Sequence, residues 1–306
     1  MLATLNDILP EAKKRHYAVG AFNTSNLEIT QAILTAAREL SAPAIIAVSE
    51  KAIQYAGLDQ IAAIIAGLAR KIKIPVVMHL DHGPSFELTE ACIRAGFTSV
   101  MIDASALPYK ENVRLTRKVK AFARRHKVSV EAEIGRLAGI EDNVAVSNDQ
   151  ALYTDPGEAR RFARETECDA LAIAIGTSHG AYKFKGKPKL RIDVLKHIAA
   201  EVKVPLVLHG ASGVKKKYVE SVNKYGGDLS HARGVTDALL RSAIKNGITK
   251  INVDTDLRIA FTAGVRQYLA ENPADFDPRK SLAAGRDRIT KVVKERIRVF
   301  GAEKKI

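Results

Sequence analysis

Short apolar runs recur along the chain, each followed by a longer stretch whose apolar residues return at every third or fourth position. Eight of the runs read as β-strands: Tyr17 to Phe22, Ala42 to Val48, Pro75 to Leu80, Thr98 to Ile102, Val128 to Ala132, Ala170 to Ile175, Pro205 to Leu208 and Thr249 to Val253. Runs of this kind, rich in valine, isoleucine and alanine, suit strands buried on both faces. Helical spacing marks the stretches between them, among them Asn26 to Leu40, Leu58 to Lys71, Phe86 to Ala95, Asn112 to His126, Pro156 to Glu167 and Arg191 to Val202. Ser85 ahead of Phe86 and Asp155 ahead of Pro156 suit helix starts, because their oxygens accept from the first unbonded N–H groups.

Alternating strands and helices imply a parallel sheet covered by helices, and eight such units in 306 residues favour an α/β fold of the closed (β/α)8 TIM-barrel type. The glycine fingerprint of dinucleotide-binding open sheets is absent. No Pro/Gly/Ser-rich linker divides the chain, so one domain over 1–306 is expected, a barrel over about 1–272 with a helical extension over about 273–306. Val214 to Lys245 exceeds a plain connection and contains a Gly226-Gly227-Asp228 turn and a second helical stretch, Val235 to Lys245. After a helix over Leu257 to Asn272, Asp277-Pro278-Arg279 opens a basic amphipathic tail with Leu282, Ile289, Val292, Val293 and Ile297, expected to pack on the barrel or on a neighbouring subunit.

Apolar content of 46% is ample for one large core. Cys92 and Cys168 lie in apolar contexts and read as reduced, buried thiols. Met1 to Asp7 lacks the basic-then-apolar pattern of a leader and no stretch approaches transmembrane length, so a cytoplasmic protein with no membrane contact is expected. The balance of 48 basic against 34 acidic residues suits nucleic acid, an anionic membrane or anionic metabolites. Its densest run, Arg114 to Lys127, interleaves charge with Leu115, Val119 and Phe122 at helical spacing, which is the pattern of a solvated helix face. No recognised nucleic-acid motif accompanies it, so no nucleic-acid partner is expected.

Catalytic groups of a barrel enzyme come from the carboxyl ends of its strands. Those ends are, in order, Asn23, Ser49, Asp81-His82, Asp103, Glu133, Ser178-His179, His209-Gly210 and Asn252 to Asp254. A single histidine at such a place is ordinarily structural. Three of the eight histidines, His82, His179 and His209, at three different strand ends are what a catalytic zinc needs, with a fourth position open for substrate. His79 within strand three, His126 and His197 on helices, and His16 and His231 in connections read as structural. Asp103 and Glu133 are further rim carboxylates, suited to orienting ligands, to holding a second divalent ion, or to pairing with rim lysine or arginine. Gly210-Ala211-Ser212-Gly213 and Asn252-Val253-Asp254-Thr255 follow strands seven and eight, where barrels commonly bind phosphate, and Lys183 could add charge; a glycine-rich loop alone is equally a tight turn.

Asp81-His82-Gly83, Gly176-Thr177-Ser178-His179-Gly180, His209-Gly210-Ala211-Ser212 and Asn252-Val253-Asp254-Thr255-Asp256 resemble, in order, the motifs of class II, metal-dependent fructose-bisphosphate aldolases. The resemblance runs from Asn6 to the region of Gly301. The long segment around Gly226-Gly227-Asp228 is similar to the fructose-bisphosphate branch rather than the tagatose-bisphosphate branch, whose connection is usually shorter. Ala211 departs from members with glycine there, but the part it would play is a backbone N–H.

The resemblance implies reversible cleavage of a ketose bisphosphate into dihydroxyacetone phosphate and glyceraldehyde 3-phosphate, with Zn2+ on His82, His179 and His209 acting as Lewis acid on the ketone oxygen. It implies Asp81 as the proton-transfer residue at the aldehyde oxygen. Glu141, in Gly139-Ile140-Glu141-Asp142 on the loop after strand five, matches the residue that exchanges the proton on dihydroxyacetone phosphate, entering the site on closure. Gly180, Lys183, Gly210, Ala211, Ser212, Asn252, Val253, Asp254 and Thr255 would cradle the phosphate of that product, with Na+ or K+ bound by nearby carbonyls. Asn23 and Ser49 would contact the aldehyde portion, and Arg279 would reach the other phosphate from an adjacent subunit, in a homodimer or homotetramer.

A Schiff-base aldolase would need a desolvated lysine on the rim. Lys250 opens strand eight, at the opposite end of the barrel, and strand six has no lysine, which disfavours that chemistry. A non-catalytic polyanion-binding protein would account for the charge but not for three strand-end histidines.

Overall fold

The computed structural model describes residues 1–135, 138–141, 144–146, 153–179, 188–229 and 232–306, with backbone alone for 138–141, 144–146 and 179. It opens with β1 (Leu2–Ala3), α1 (Leu5–Lys14), β2 (Val19–Asn23), α2 (Leu27–Glu39), β3 (Ala44–Ser49), α3 (Glu50–Ala56) and α4 (Leu58–Ala69). Then come β4 (Val76–Gly83), α5 (Phe86–Arg94), β5 (Ser99–Ile102), α6 (Tyr109–Arg125), β6 (Ser129–Ile134), β7 (Ala138–Glu141) and β8 (Val144–Val146). The second half contains α7 (Pro156–Thr166), β9 (Ala170–Ile173), β10 (Ser178–His179), α8 (Ile192–Glu201), β11 (Leu206–Leu208), α9 (Lys216–Lys224) and α10 (Asp237–Lys245). β12 (Ile248–Val253), α11 (Thr255–Glu271) and α12 (Pro278–Val299) complete the order.

All eight apolar runs become strands of one parallel barrel, in the ring order β2, β3, β4, β5, β6, β9, β11, β12, closed by pairing of β12 with β2. The fold is a single-domain (β/α)8 barrel, as the alternation of runs predicts. Its strands are buried on both faces, which is why they carry unbroken valine, isoleucine and alanine. Helix starts follow the sequence cues: the Ser85 hydroxyl accepts from Leu88 N–H at 3.2 Å, and the Asp155 carboxylate from Glu158 N–H at 2.8 Å.

α12 packs on α11 and α2 of its own chain. Its Arg296 is buried and ion-paired at 2.8 Å with Asp237 at the start of α10, which fastens the C-terminal tail to the long connection after β11. That connection holds two helices, α9 and α10. Cys92 and Cys168 are buried and unbridged, and burial pushes their thiols up to about 12 and about 11. No single helix among the described residues is long and apolar enough to cross a membrane.

Two placements differ from the sequence reading. Lys250 is the third residue of β12 and fully buried, with its Nζ 2.8 Å from the Asn252 side chain inside the barrel, so it is not at the strand's opening. His179 does not close a barrel strand. β9 ends at Ile173, and His179 lies on the separate strand β10, which pairs with β7 in a small second sheet.

Candidate active site

Neighbouring residues on a regular strand point to opposite faces, so Asp81 and His82 could not both reach the barrel mouth without a break in β4. The break is present. His79 pairs with Ser99 and Leu80 with Val100, but Gly83 pairs with Ile102, leaving one extra residue on β4. This β-bulge puts His82 at φ 48°, a left-handed conformation uncommon outside glycine. Gly83 makes the bulge sterically feasible: a Cβ there would lie 2.5 Å from the Met101 carbonyl oxygen and 2.7 Å from Leu80 Cδ2. Asp81, His82 and His209 consequently present ligand atoms that all lie within 4.8 Å of one another.

His82, Asp103 and Glu133 form a second such group. His82 Nδ1 lies 2.8 Å from Asp103 Oδ2 and 3.9 Å from Glu133 Oε2. The other Asp103 oxygen accepts from the Ser105 hydroxyl at 2.7 Å and from its N–H at 3.2 Å. Burial works against a charge on His82, but the hydrogen bond to Asp103 and the carboxylates of Asp81, Asp103 and Glu133 outweigh it and raise its pKa well above the histidine range. Burial, reinforced by Asp103, raises Glu133 well above the carboxylate range. Burial likewise opposes ionisation of Asp103, yet the hydrogen bond and charge of His82 and the Ser105 donors hold it below its ordinary value.

His209, directly after β11, places Nε2 2.7 Å from Glu131 Oε1 and Nδ1 4.0 Å from Asp81 Oδ1. Its ring meets that of His82 edge to face, with centroids 4.5 Å apart. Each imidazole is thus oriented by a carboxylate, as metal-binding histidines are. Glu133 Oε2 is buried with no hydrogen-bond partner among the described residues. An orphaned carboxylate oxygen, two carboxylate-oriented imidazoles and raised proton affinities together fit a divalent cation.

Asp81 is clamped by two amides. Asn23 Nδ2 donates to its Oδ2 at 2.8 Å and Asn252 Nδ2 to its Oδ1 at 2.8 Å, from β2 and β12 respectively. Ser49 stands opposite Asp81 in the register of β3 with β4, and its hydroxyl accepts from Ala52 N–H at 3.4 Å at the start of α3.

Beside this group, the loops after β11 and β12 are tied together. The Ser212 hydroxyl accepts from Asp254 N–H at 3.3 Å, and the buried Asp256 carboxylate accepts from Gly213 and Val214 N–H at 2.9 and 2.6 Å. α11 begins at Thr255, after Val253 closes β12, so its N-terminus, an electropositive end with N–H groups aimed outward, sits on the same loops. Ala211 and Thr255 are buried there, and the Asp254 carboxylate pairs with Arg258 at 2.7 Å. Gly210 has φ +60°, and a Cβ on it would lie 2.7 Å from the Ser178 carbonyl oxygen, so the His209 loop packs directly on the backbone that leads into His179.

The remaining expectations divide. His179 pairs with Gly139, and Glu141, two residues further along β7, pairs with Val144; Glu141 therefore lies on a strand rather than a plain loop. The side chains of His179 and Glu141, and the whole of Gly180 and Lys183, lie outside the described residues. Arg279, in the first turn of α12, is paired with Asp277 at 2.7 Å with its side chain 88% exposed. Glu131 and Lys250, buried and paired at 2.8 Å, were not anticipated as parts of the site. The available signal was a charged residue inside an otherwise apolar strand run, on β6 and on β12.

Comparison with known proteins agrees with this geometry. The family model described as fructose-bisphosphate aldolase class-II matches residues 3–305. A fructose-bisphosphate aldolase of Thermus caldophilus is 50% identical over 302 residues, 99% of each chain, and one of Helicobacter pylori is 47% identical over 307 residues, 100% of each. Among solved structures, the YdjI aldolase of Escherichia coli K12 superposes with a TM-score of 0.81 at 31% identity, covering 100% of this chain and 99% of that one. Motifs, barrel and rim geometry converge on one conclusion: the chain belongs to the class II fructose-bisphosphate aldolases, metal-dependent lyases that act on sugar phosphates.

Proposed function

We propose that the chain carries out reversible cleavage of fructose 1,6-bisphosphate with zinc as its ion, held by His82, His179 and His209. The observation that carries this reading is the β4 bulge, which turns Asp81 and His82 to one rim beside His209. A divalent cation there supplies Lewis-acid charge beside the substrate ketone, which is what a carbanion next to a carbonyl requires. Asp81, fixed by Asn23 and Asn252, accepts the proton of the C4 hydroxyl in cleavage and returns it to the aldehyde oxygen in condensation. Glu141 exchanges the proton on the carbon of dihydroxyacetone phosphate. Asp103 and Glu133, with His82, orient the metal site and hold a second divalent ion.

Gly210, Ala211 and Ser212 in the loop after β11, with Asn252, Val253, Asp254 and Thr255 at the end of β12 and the start of α11, receive the phosphate of dihydroxyacetone phosphate together with Gly180 and Lys183, and carbonyls nearby take Na+ or K+. Support comes from the N-terminus of α11 on the same loops. Asn23 and Ser49 face the aldehyde portion. Arg279, exposed in the single chain, serves the other phosphate in an adjacent subunit, so the working unit is a homodimer or a homotetramer. Two unbridged thiols suit the reducing cytoplasm.

Fructose and tagatose bisphosphates differ in one hydroxyl, at the carbon where Asp81 acts. The test is the cleavage rate of each by the zinc-loaded protein. A clear preference for the fructose sugar is expected, and equal rates, or a preference for tagatose, would contradict the assignment.

A further inference from the structure

The interior of a (β/α)8 barrel is normally layered with branched apolar side chains. Directly beneath this site the layer is ionic instead: His79 on β4, Ser99 on β5, Glu131 on β6 and Lys250 on β12 are all fully buried. Lys250 Nζ is the hub. It lies 2.8 Å from Asn252 Oδ1, 2.8 Å from Glu131 Oε2 and 3.5 Å from His79 Nε2, while His79 Nδ1 lies 2.8 Å from the Ser99 hydroxyl. One unbroken chain of polar contacts therefore runs from Asp81 through Asn252, Lys250 and Glu131 to His209.

Stability alone does not call for this arrangement. Taking an ammonium and a carboxylate out of water is strongly unfavourable, and apolar residues of the same volume commonly hold a core equally well. The chemistry of an ammonium supplies a different reason, because it has three donors and no acceptor. Facing it, Asn252 must present Oδ1, which leaves Nδ2 to donate to Asp81. With the amide reversed, a carbonyl would face the Asp81 carboxylate and an NH2 would face the ammonium. On the other arm, Glu131 pairs with Lys250 through one oxygen and accepts from His209 Nε2 through the other, which leaves His209 Nδ1 as the nitrogen directed toward Asp81.

We infer that Lys250 is a positioning residue: a single buried ammonium fixes the donor–acceptor polarity of Asn252, which holds Asp81, and of Glu131, which sets the tautomer of His209. This rests on the reading of Asp81 as the proton-transfer group and His209 as a metal ligand. It gives a lysine inside a metal-dependent aldolase a part that requires no Schiff base and no contact with substrate.

The test uses the full chain with Lys250→Met, which keeps an unbranched side chain one atom shorter and without charge, with Glu131→Gln, and with the double variant Lys250→Met/Glu131→Gln, in which both buried charges leave together. If Lys250 only neutralises Glu131, the double variant behaves as Glu131→Gln alone does. If Lys250 sets polarity, the double variant unfolds cooperatively yet binds zinc about 10–100-fold more weakly than Glu131→Gln and loses kcat by a similar factor, with KM for the sugar bisphosphate little changed. In the metal-free wild-type protein in alkaline buffer, 15N spectra of the histidine rings should show the His209 proton on Nε2. A double variant equal to Glu131→Gln in zinc affinity and kcat would overturn the inference, and so would an Nδ1-protonated His209 in the wild type, whether or not the variants fold. A wild-type protein that binds no zinc would instead sink the reading of the site on which the inference rests.

Discussion

His82 Nδ1 stands 2.8 Å from Asp103 Oδ2, inside a ring of carboxylates that includes Asp81 and Glu133. The same negative field that attracts a divalent cation attracts protons when the cation is absent: burial raises the pKa of Glu133 and the field adds to it, while on His82 the field overcomes the opposing effect of burial. A metal ion and these protons therefore compete for one place.

Zinc binding should release protons, and affinity should rise with pH through the raised range of His82. In the metal-free protein both groups bind protons more tightly folded than unfolded, so their contribution to stability is full below their unfolded values and is lost as pH rises through the folded ones. Zinc should reverse that trend, stabilising the protein most at the alkaline end. Calorimetric titration of zinc in two buffers of different ionisation enthalpy measures the protons released; a heat independent of the buffer would contradict the competition.

Asp81 and His209 should divide the labour. Asp81→Ala is expected to keep zinc while losing about 10²–10⁴-fold in kcat, the range for a proton-transfer group, whereas His209→Ala should lose both metal and turnover. Zinc analysis and steady-state kinetics on the two purified variants decide it. An Asp81→Ala protein emptied of zinc would make Asp81 a ligand rather than a proton carrier.

The barrel was legible in the sequence because doubly buried strands must be unbroken apolar runs, and all eight were found where those runs lie. The rim carboxylates and two of the histidines followed from strand ends. The bulge was not legible: Asp81-His82 reads as two alternating positions, and only Gly83 against the Met101 carbonyl reveals why both face one way. His179 reads as the end of a barrel strand because the apolar run continues through Ala174 and Ile175, past the end of β9 at Ile173, and nothing in Gly176-Thr177-Ser178 distinguishes a second sheet from a loop. Lys250 is not legible as part of the site, since attention to strand ends overlooks an ionic layer one step below the rim.

The bulge itself is open to test. Gly83→Ala would press a methyl against the Met101 carbonyl and Leu80; a destabilisation of about 1–3 kcal/mol is expected, as for other overpacked sites, together with weaker zinc binding. Thermal unfolding and zinc titration read both. Unchanged melting and unchanged affinity would mean that Gly83 is not what permits His82 its left-handed backbone.

Asp256 should matter to substrate without touching the metal. Asp256→Ala leaves the Gly213 and Val214 N–H groups without their acceptor, at a cost of about 1–3 kcal/mol for buried groups so stranded, and should loosen the loop proposed to hold phosphate. The expected signature is a raised KM for the sugar bisphosphate with zinc content intact. A variant with weakened stability but unchanged KM would detach this loop from phosphate binding.

Titration of zinc into the thoroughly chelated protein, followed by the rate of fructose 1,6-bisphosphate cleavage, bears most directly on the central claim that the rim formed by Asp81, His82 and His209 works around a catalytic metal ion. Activity should begin at background and climb with added zinc until it saturates. Full activity in the metal-free protein, indifferent to added zinc, would contradict it.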